Sequence, residues 1–164
     1  LEELQTMHAM KTGALIRASC VCGALLAGAD TAVIDAIGEY GAALGMAFQL
    51  RDDMLEYMPA AATGKPTCND LREGKITLPL LAVLERVDDA RRTELLDRLA
   101  RCREDEASVD YLRQLVTNEG GLEAAGREMQ RHIAQAVGLL ADYDDTPYRH
   151  SLIELCRFVA ERDN

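Results

Sequence analysis

The segment Phe48-Gln49-Leu50-Arg51-Asp52-Asp53-Met54-Leu55-Glu56 places one amide and three carboxylates close together. On a helix, at about 100° per residue and with Gln49 at zero, Asp52 falls near −60°, Asp53 near +40° and Glu56 near −20°. The four polar side chains then share an arc of roughly 100°, while Met46, Leu50, Met54 and Leu55 lie elsewhere on the wheel. Like charges three and four residues apart repel on a helix, and burial makes the conflict more costly. A bound hard cation resolves it. Oxygen ligands suit Mg²⁺, which keeps several waters and bridges one or two carboxylates to substrate phosphates. From spacing alone the alternative stays open: an acidic stripe facing solvent at a helix end.

Downstream, Lys65 follows Gly64 and Lys75 follows Gly74. Gly-Lys loops can carry ammonium groups over an anion held by metal. Lys11, in Lys11-Thr12-Gly13, is with Arg17 the only cation of the first apolar stretch. Alone, such a lysine snorkels to the surface. Taken together, three lysines, three carboxylates and Gln49 describe a site for a diphosphate with magnesium.

The elements that must position these residues read as helices throughout. Residues 1–27 form one, stopped by Gly28. Asp30 or Thr31 caps a second, reaching about Met58 before Pro59. Residues 59–75 read as a loop. Further helices are expected at Leu78–Val87 with Pro79 in the first turn, from Asp88 to about Cys102, after a Ser108 cap to about Asn118, over Leu122–Asp142, and from Thr146-Pro147 to about Arg162. Runs of β-branched residues alternating at period two are missing, so the chain is expected to be all-α.

The chain has 164 residues, a net charge of −10 and 48% apolar composition. That is enough for a core. Acidic balance, no Trp and two Phe argue against a nucleic-acid binder. No uninterrupted run of about 18 apolar residues suggests a transmembrane helix. From Met7 to Leu50 the charges are Lys11, Arg17, Asp30, Asp35 and Glu39; a stretch so apolar belongs inside a bundle. Its small residues Gly38, Gly41, Ala42, Ala43, Gly45 and Ala47 would let neighbouring helices approach closely. Glu85–Glu106 mixes both signs and reads as a solvated face. Cys20, Cys22, Cys68, Cys102 and Cys156 lack metal-type spacing and are expected to be small buried thiols in a reducing compartment. Leu1 opens within a helix-like pattern without an initiator Met, so these first residues are not expected to be a natural start, and no signal or transit peptide is expected among them.

Several blocks resemble the trans-type isoprenyl diphosphate (polyprenyl) synthases. Lys11-Thr12-Gly13 resembles the family's Lys-Thr-Ala/Gly motif. Gly41-Ala42-Ala43-Leu44-Gly45-Met46-Ala47-Phe48-Gln49-Leu50-Arg51-Asp52-Asp53 resembles the helix entering its second aspartate-rich motif. Gly64-Lys65 and Asp70-Leu71-Arg72-Glu73-Gly74-Lys75-Ile76-Thr77-Leu78-Pro79 resemble the following loop, and Tyr148-Arg149-His150-Ser151-Leu152 the start of the last helix. Two features depart from the pattern. Glu56 stands where the motif normally ends in Asp, and the first aspartate-rich motif is absent.

The resemblance implies an all-α, isoprenoid-synthase-type helical bundle, incomplete in this chain, with residues 1–164 as the C-terminal half of one synthase domain. It implies a Mg²⁺-dependent prenyltransferase that condenses an allylic diphosphate with isopentenyl diphosphate into a longer all-trans polyprenyl diphosphate, the 164 residues alone being inactive. It implies that Asp52, Asp53 and Glu56 serve the metal, that Lys11, Lys65 and Lys75 bind the allylic diphosphate, and that Thr12, Phe48 and Gln49 line the site. The catalytic set is then Lys11, Thr12, Gln49 and Asp52. A homodimer in the cytoplasm is expected, with no nucleic-acid partner. Two alternatives are a non-catalytic subunit of a heteromeric synthase and an unrelated helical interaction module.

Overall fold

A computed structural model describes residues 2–58 and 67–162, and every regular element among them is a helix. In order these are α1 (Glu2–His8), a π-helical turn (Ala9–Gly13), α2 (Ala14–Leu26), α3 (Thr31–Leu55), α4 (Asn69–Arg72), α5 (Leu78–Leu84), α6 (Asp89–Arg101), α7 (Glu106–Asn118), α8 (Gly121–Gly138) and α9 (Pro147–Glu161). The first three run end to end.

Local chemistry accounts for most boundaries. Gly28 adopts φ +69°, a left-handed conformation that costs glycine little, and it stops the first helical run. The Asp30 carboxylate accepts the Val33 N–H at 2.9 Å, and that of Asp88 the Arg91 N–H at 2.8 Å. Thr146 Oγ1 accepts the Arg149 N–H at 3.2 Å, and Pro147 occupies the first turn of α9. Each satisfies an N–H that the helix itself leaves orphaned. Before α7 the cap is Asp105, three residues upstream of the expected Ser108. Its carboxylate accepts from Ala107 N–H at 3.1 Å and from the Ser108 hydroxyl. α8 ends at Gly138, short of the expected Asp142. The loop expected over 59–75 contains α4; its residues 59–66 lie outside the described residues.

The chain divides into two compact units. One is Asp52–Arg127, whose core is built by Leu71, Leu80, Val83, Leu95, Leu99, Leu112 and Val116, with Tyr57, Cys68 and Cys102. The charged helix α6 meets its expectation: Leu95 and Leu99 point inward, and its other faces are solvated. The other unit joins Glu2–Arg51 with Glu128–Arg162. Its core includes Tyr40, Leu44, Ala47, Leu50, Leu140, Cys156 and Val159. There the Tyr40 hydroxyl donates to Leu152 O at 2.9 Å, and burial raises the pKa of this phenol.

Two expectations need correction. α2 was expected in the interior but buries no residue. Met10 is 75% and Leu26 90% exposed. α2 packs on α3, where Gly38 and Gly41 of α3 admit Val21 and the Arg17 backbone, while Leu15, Leu25 and Leu26 of α2 stay exposed. By length and composition alone, Thr6–Leu26 is apolar enough to cross a membrane, with mean hydropathy 1.3. The sequence reading missed this because Lys11 and Arg17 interrupt the run without lowering its mean enough. Among the cysteines, Cys68, Cys102 and Cys156 are buried as expected, whereas Cys20 is half-buried and Cys22 exposed; all five are free thiols.

Candidate active site

The close contact of the first helical run with α3 explains the glycines. A Cβ on Gly45 would lie 2.5 Å from Gly13 Cα, and one on Gly41 would lie 2.9 Å from Arg17 Cα. Neither distance is tolerable, so hydrogen at both positions lets the backbones meet. Gly13 ends the π turn that also holds Lys11 and Thr12. Such turns carry i→i+5 bonding and recur at functional sites. Here it aims Thr12 at α3, where Gln49 Nε2 donates to Thr12 Oγ1 at 2.9 Å. Gln49 is only 3% exposed, so this bond is strongly favoured over leaving its amide unmet. Lys11, beside Thr12, is exposed to solvent.

Phe48 follows another path. The guanidinium carbon of Arg162 lies 3.9 Å from the centre of its ring, a cation–π distance. Arg162 also donates to Phe48 O at 3.2 Å and accepts from Arg51 Nε at 2.8 Å. One ring face is therefore covered by the Arg162 guanidinium, just past α9. Nothing in the sequence pattern announces this anchor, because its partners lie more than a hundred residues apart.

Farther along α3, Asp53 is 6% exposed and Asp52 half-buried. The helix ends at Leu55, although Glu56 N–H still donates to Asp52 O at 3.3 Å. Glu56 sits in the following turn, and its carboxylate accepts the Asn69 N–H at 2.6 Å. Among the described residues no three His, Cys, Asp or Glu side chains converge to hold a metal ion. The arc expected for Asp52, Asp53 and Glu56 is therefore not a closed ligand set within the chain.

Lys75 lies at the end of a short, heavily bonded segment. Its ammonium is 2.5 Å from Glu73 Oε2 and 3.2 Å from Asp70 Oδ1. The Glu73 carboxylate, with help from Asp70, raises the Lys75 pKa, and Lys75 in turn lowers that of Glu73. The sequence reading missed Arg72. It donates to Thr67 O at 2.6 Å and to Glu106 at 2.6 Å, and the Glu106 bond raises its pKa. The one available signal was its place inside Asp70-Leu71-Arg72-Glu73. Lys65 lies outside the described residues.

The chain's likeness to known proteins runs through these same residues. The model of the Polyprenyl synthetase family matches residues 1–116. The chain belongs to the polyprenyl synthetase family. It is 37% identical over 155 residues to the probable mitochondrial hexaprenyl pyrophosphate synthase of Neurospora crassa, covering 94% of this chain and 33% of that protein. It is 32% identical over 164 residues to the short chain isoprenyl diphosphate synthase of Methanothermobacter thermautotrophicus, covering 99% and 50%. Its fold matches the polyprenyl synthase of Caulobacter crescentus, solved with calcium and isoprenyl diphosphate. That comparison gives a TM-score of 0.89 and 34% identity over 98% of this chain and 49% of that one. The chain spans at most about half the length of these relatives. The all-α, isoprenoid-synthase fold expected from the sequence is thereby established.

Proposed function

We propose that the protein carrying this chain is a trans-prenyltransferase, condensing an allylic diphosphate with isopentenyl diphosphate to give a longer all-trans polyprenyl diphosphate. The observation that carries this reading is the 2.9 Å bond from Gln49 to Thr12. It fixes the Lys11-Thr12 pair against α3, one turn before Asp52 and Asp53. Membership of the polyprenyl synthetase family supports it.

The donor set at the end of α3 is all oxygen. Two adjacent carboxylates fit a Mg²⁺ ion that keeps waters and takes its remaining ligands from substrate phosphates. Asp52 and Asp53 would hold it; Glu56, the third member of the expected set, has its carboxylate on the Asn69 N–H at 2.6 Å and is left out of the ligand set. When bound, the ion neutralises charge on the departing diphosphate as a Lewis acid. The side chains of this chain do the rest. Lys11 and Lys75, with Lys65, pair with the diphosphate oxygens and favour breakage of the allylic C–O bond. Gln49 and Thr12, held by one another, present fixed dipoles near the carbon that becomes cationic. The isopentenyl double bond attacks there, and a proton is then lost. The buried packing around Gln49 keeps water from that carbon.

The relatives being longer, the 164 residues alone are proposed to be inactive, and catalysis belongs to the full-length protein. A homodimer is proposed as well, supported by the exposed apolar residues Met10, Leu15, Leu25 and Leu26; a second copy or the rest of the enzyme would cover them. A cytoplasmic site of action remains part of the proposal, supported by five free thiols.

The test is to incubate the full-length protein with an allylic diphosphate and isopentenyl diphosphate and separate the products by chain length. Elongated product that requires divalent cation is expected. Absence of product with every allylic primer, from a folded protein, would overturn the assignment.

A further inference from the structure

α4 begins without a cap of its own. The residue before it, Cys68, makes no side-chain capping bond and has φ 63°, a left-handed conformation uncommon outside glycine. The first N–H groups of a helix need acceptors, ordinarily from Ser, Thr, Asp or Asn at the cap. Here Glu56 supplies two of them. Its Oε2 accepts the Asn69 N–H at 2.6 Å, and its own carbonyl accepts the Cys68 N–H at 2.8 Å. Cys68 and Asn69 are thereby both bonded to Glu56, at the end of α3. Beyond Asn69 the bonding is continuous. Arg72 reaches back to Thr67 O, the Lys75 N–H donates to Asp70 O at 2.8 Å, and the Lys75 ammonium meets Asp70 and Glu73. The placement of Lys75 thus follows from α4, which Glu56 holds at its start and the buried Cys68 and Leu71 hold against the core.

We propose that Glu56 is a positioning residue: its carboxylate ties the start of α4 to the end of α3 and so sets the place of Lys75. This rests on the reading of that helix end as a metal and diphosphate site. It also accounts for glutamate where the resembling motif ends in aspartate, since the extra methylene supplies reach. Positioning needs reach and an acceptor, whereas metal ligation needs charge. Gln keeps the reach and an acceptor oxygen; Asp keeps the charge and loses about one C–C bond of reach.

The experiment compares Glu56→Gln, Glu56→Asp and Glu56→Ala in the full-length protein. The first readout is amide exchange at Asn69 without metal; the second is the steady-state requirement for allylic diphosphate and for Mg²⁺. Glu56→Asp and Glu56→Ala are expected to lose Asn69 protection by roughly tenfold, as for a lost charge-assisted bond. Their KM for allylic diphosphate should rise, with kcat and the Mg²⁺ requirement little changed. Glu56→Gln should keep protection within roughly threefold of the parent, with the parent's Mg²⁺ requirement. Parent-like protection in Glu56→Asp, or a raised Mg²⁺ requirement in Glu56→Gln, would overturn the proposal. Asp52→Asn is the separate control. If it leaves the Mg²⁺ requirement unchanged, the site reading fails, while the exchange result on Asn69 still decides the role of Glu56.

Discussion

Lys11 and Lys75, each proposed to bind diphosphate, are held in opposite ways. Lys11 stands on a π turn clamped by helix packing, where Gly13 meets Gly45 and Thr12 meets Gln49. Lys75 stands at the end of a segment held by hydrogen bonds and ion pairs, and its ammonium is already matched by Asp70 and Glu73. The first arm is preorganised by close packing, which salt does not screen. The second is held by its own acids, and diphosphate binding as proposed would require the ammonium to exchange them for the anion. Packing is all-or-none and costly to disturb, whereas exposed ion pairs contribute little to stability and weaken with salt.

Breaking either arm should therefore look different, and breaking the carboxylates between them in sequence should look worst. Asp52→Ala is expected to lower turnover of the full-length enzyme by roughly a hundredfold or more, the scale of a lost metal contact worth several kcal/mol; a rate within about threefold of the parent would remove Asp52 from the site. Gly45→Val inserts carbon where the Gly13 backbone lies. It should cost about 1–3 kcal/mol, read as a lower denaturant midpoint, and should impair Lys11 and Thr12 together. Thr12→Val leaves the buried Gln49 amide without that acceptor and should cost about 1–3 kcal/mol in stability as well as lowering turnover. Lys75→Ala should leave the denaturant midpoint within about 0.5 kcal/mol while weakening diphosphate binding in a salt-sensitive way. A stability loss like that of Gly45→Val would erase the contrast.

A smaller effect comes from His132. It is buried beside Glu128 and Arg131, and burial, with the Arg131 charge, lowers its pKa from the ordinary 6.5. The native state thus binds fewer protons than the unfolded chain in acid. The stability from keeping this imidazole neutral is present above about pH 6.5 and is lost as pH falls below it. His132→Gln should flatten the decline in denaturant midpoint between about pH 7 and 5; an unchanged slope would assign that decline to other groups.

The helices were legible because their signals are local. Gly28, Asp30, Asp88 and Thr146-Pro147 each act within one turn, and each acts where the sequence placed it. α4 escaped because its cap comes from Glu56, thirteen residues upstream, and the residue preceding it is a left-handed cysteine rather than a recognisable cap. The π turn at Lys11-Thr12 escaped because its residues are ordinary helix formers; what distinguishes it is the contact of Gly13 with Gly45. α2 misled for a related reason. Apolar composition says that a helix face is suited to burial, not that this chain supplies the cover. At the site, Gln49, Asp52 and Asp53 stand at the end of α3 as the helical spacing placed them, whereas Glu56 falls in the turn beyond it. The sequence could not tell that Gln49 turns to Thr12, that Phe48 lies under Arg162, or that Glu56 turns to Asn69.

The central claim is that the end of α3 holds a divalent cation together with diphosphate. Calorimetric titration of inorganic diphosphate into the full-length protein, with and without Mg²⁺, tests it most directly when repeated on Asp52→Asn. Binding that requires Mg²⁺ in the parent and falls by roughly tenfold or more in the variant is the predicted result. Equal affinity without Mg²⁺, or an unchanged affinity in Asp52→Asn, would contradict it.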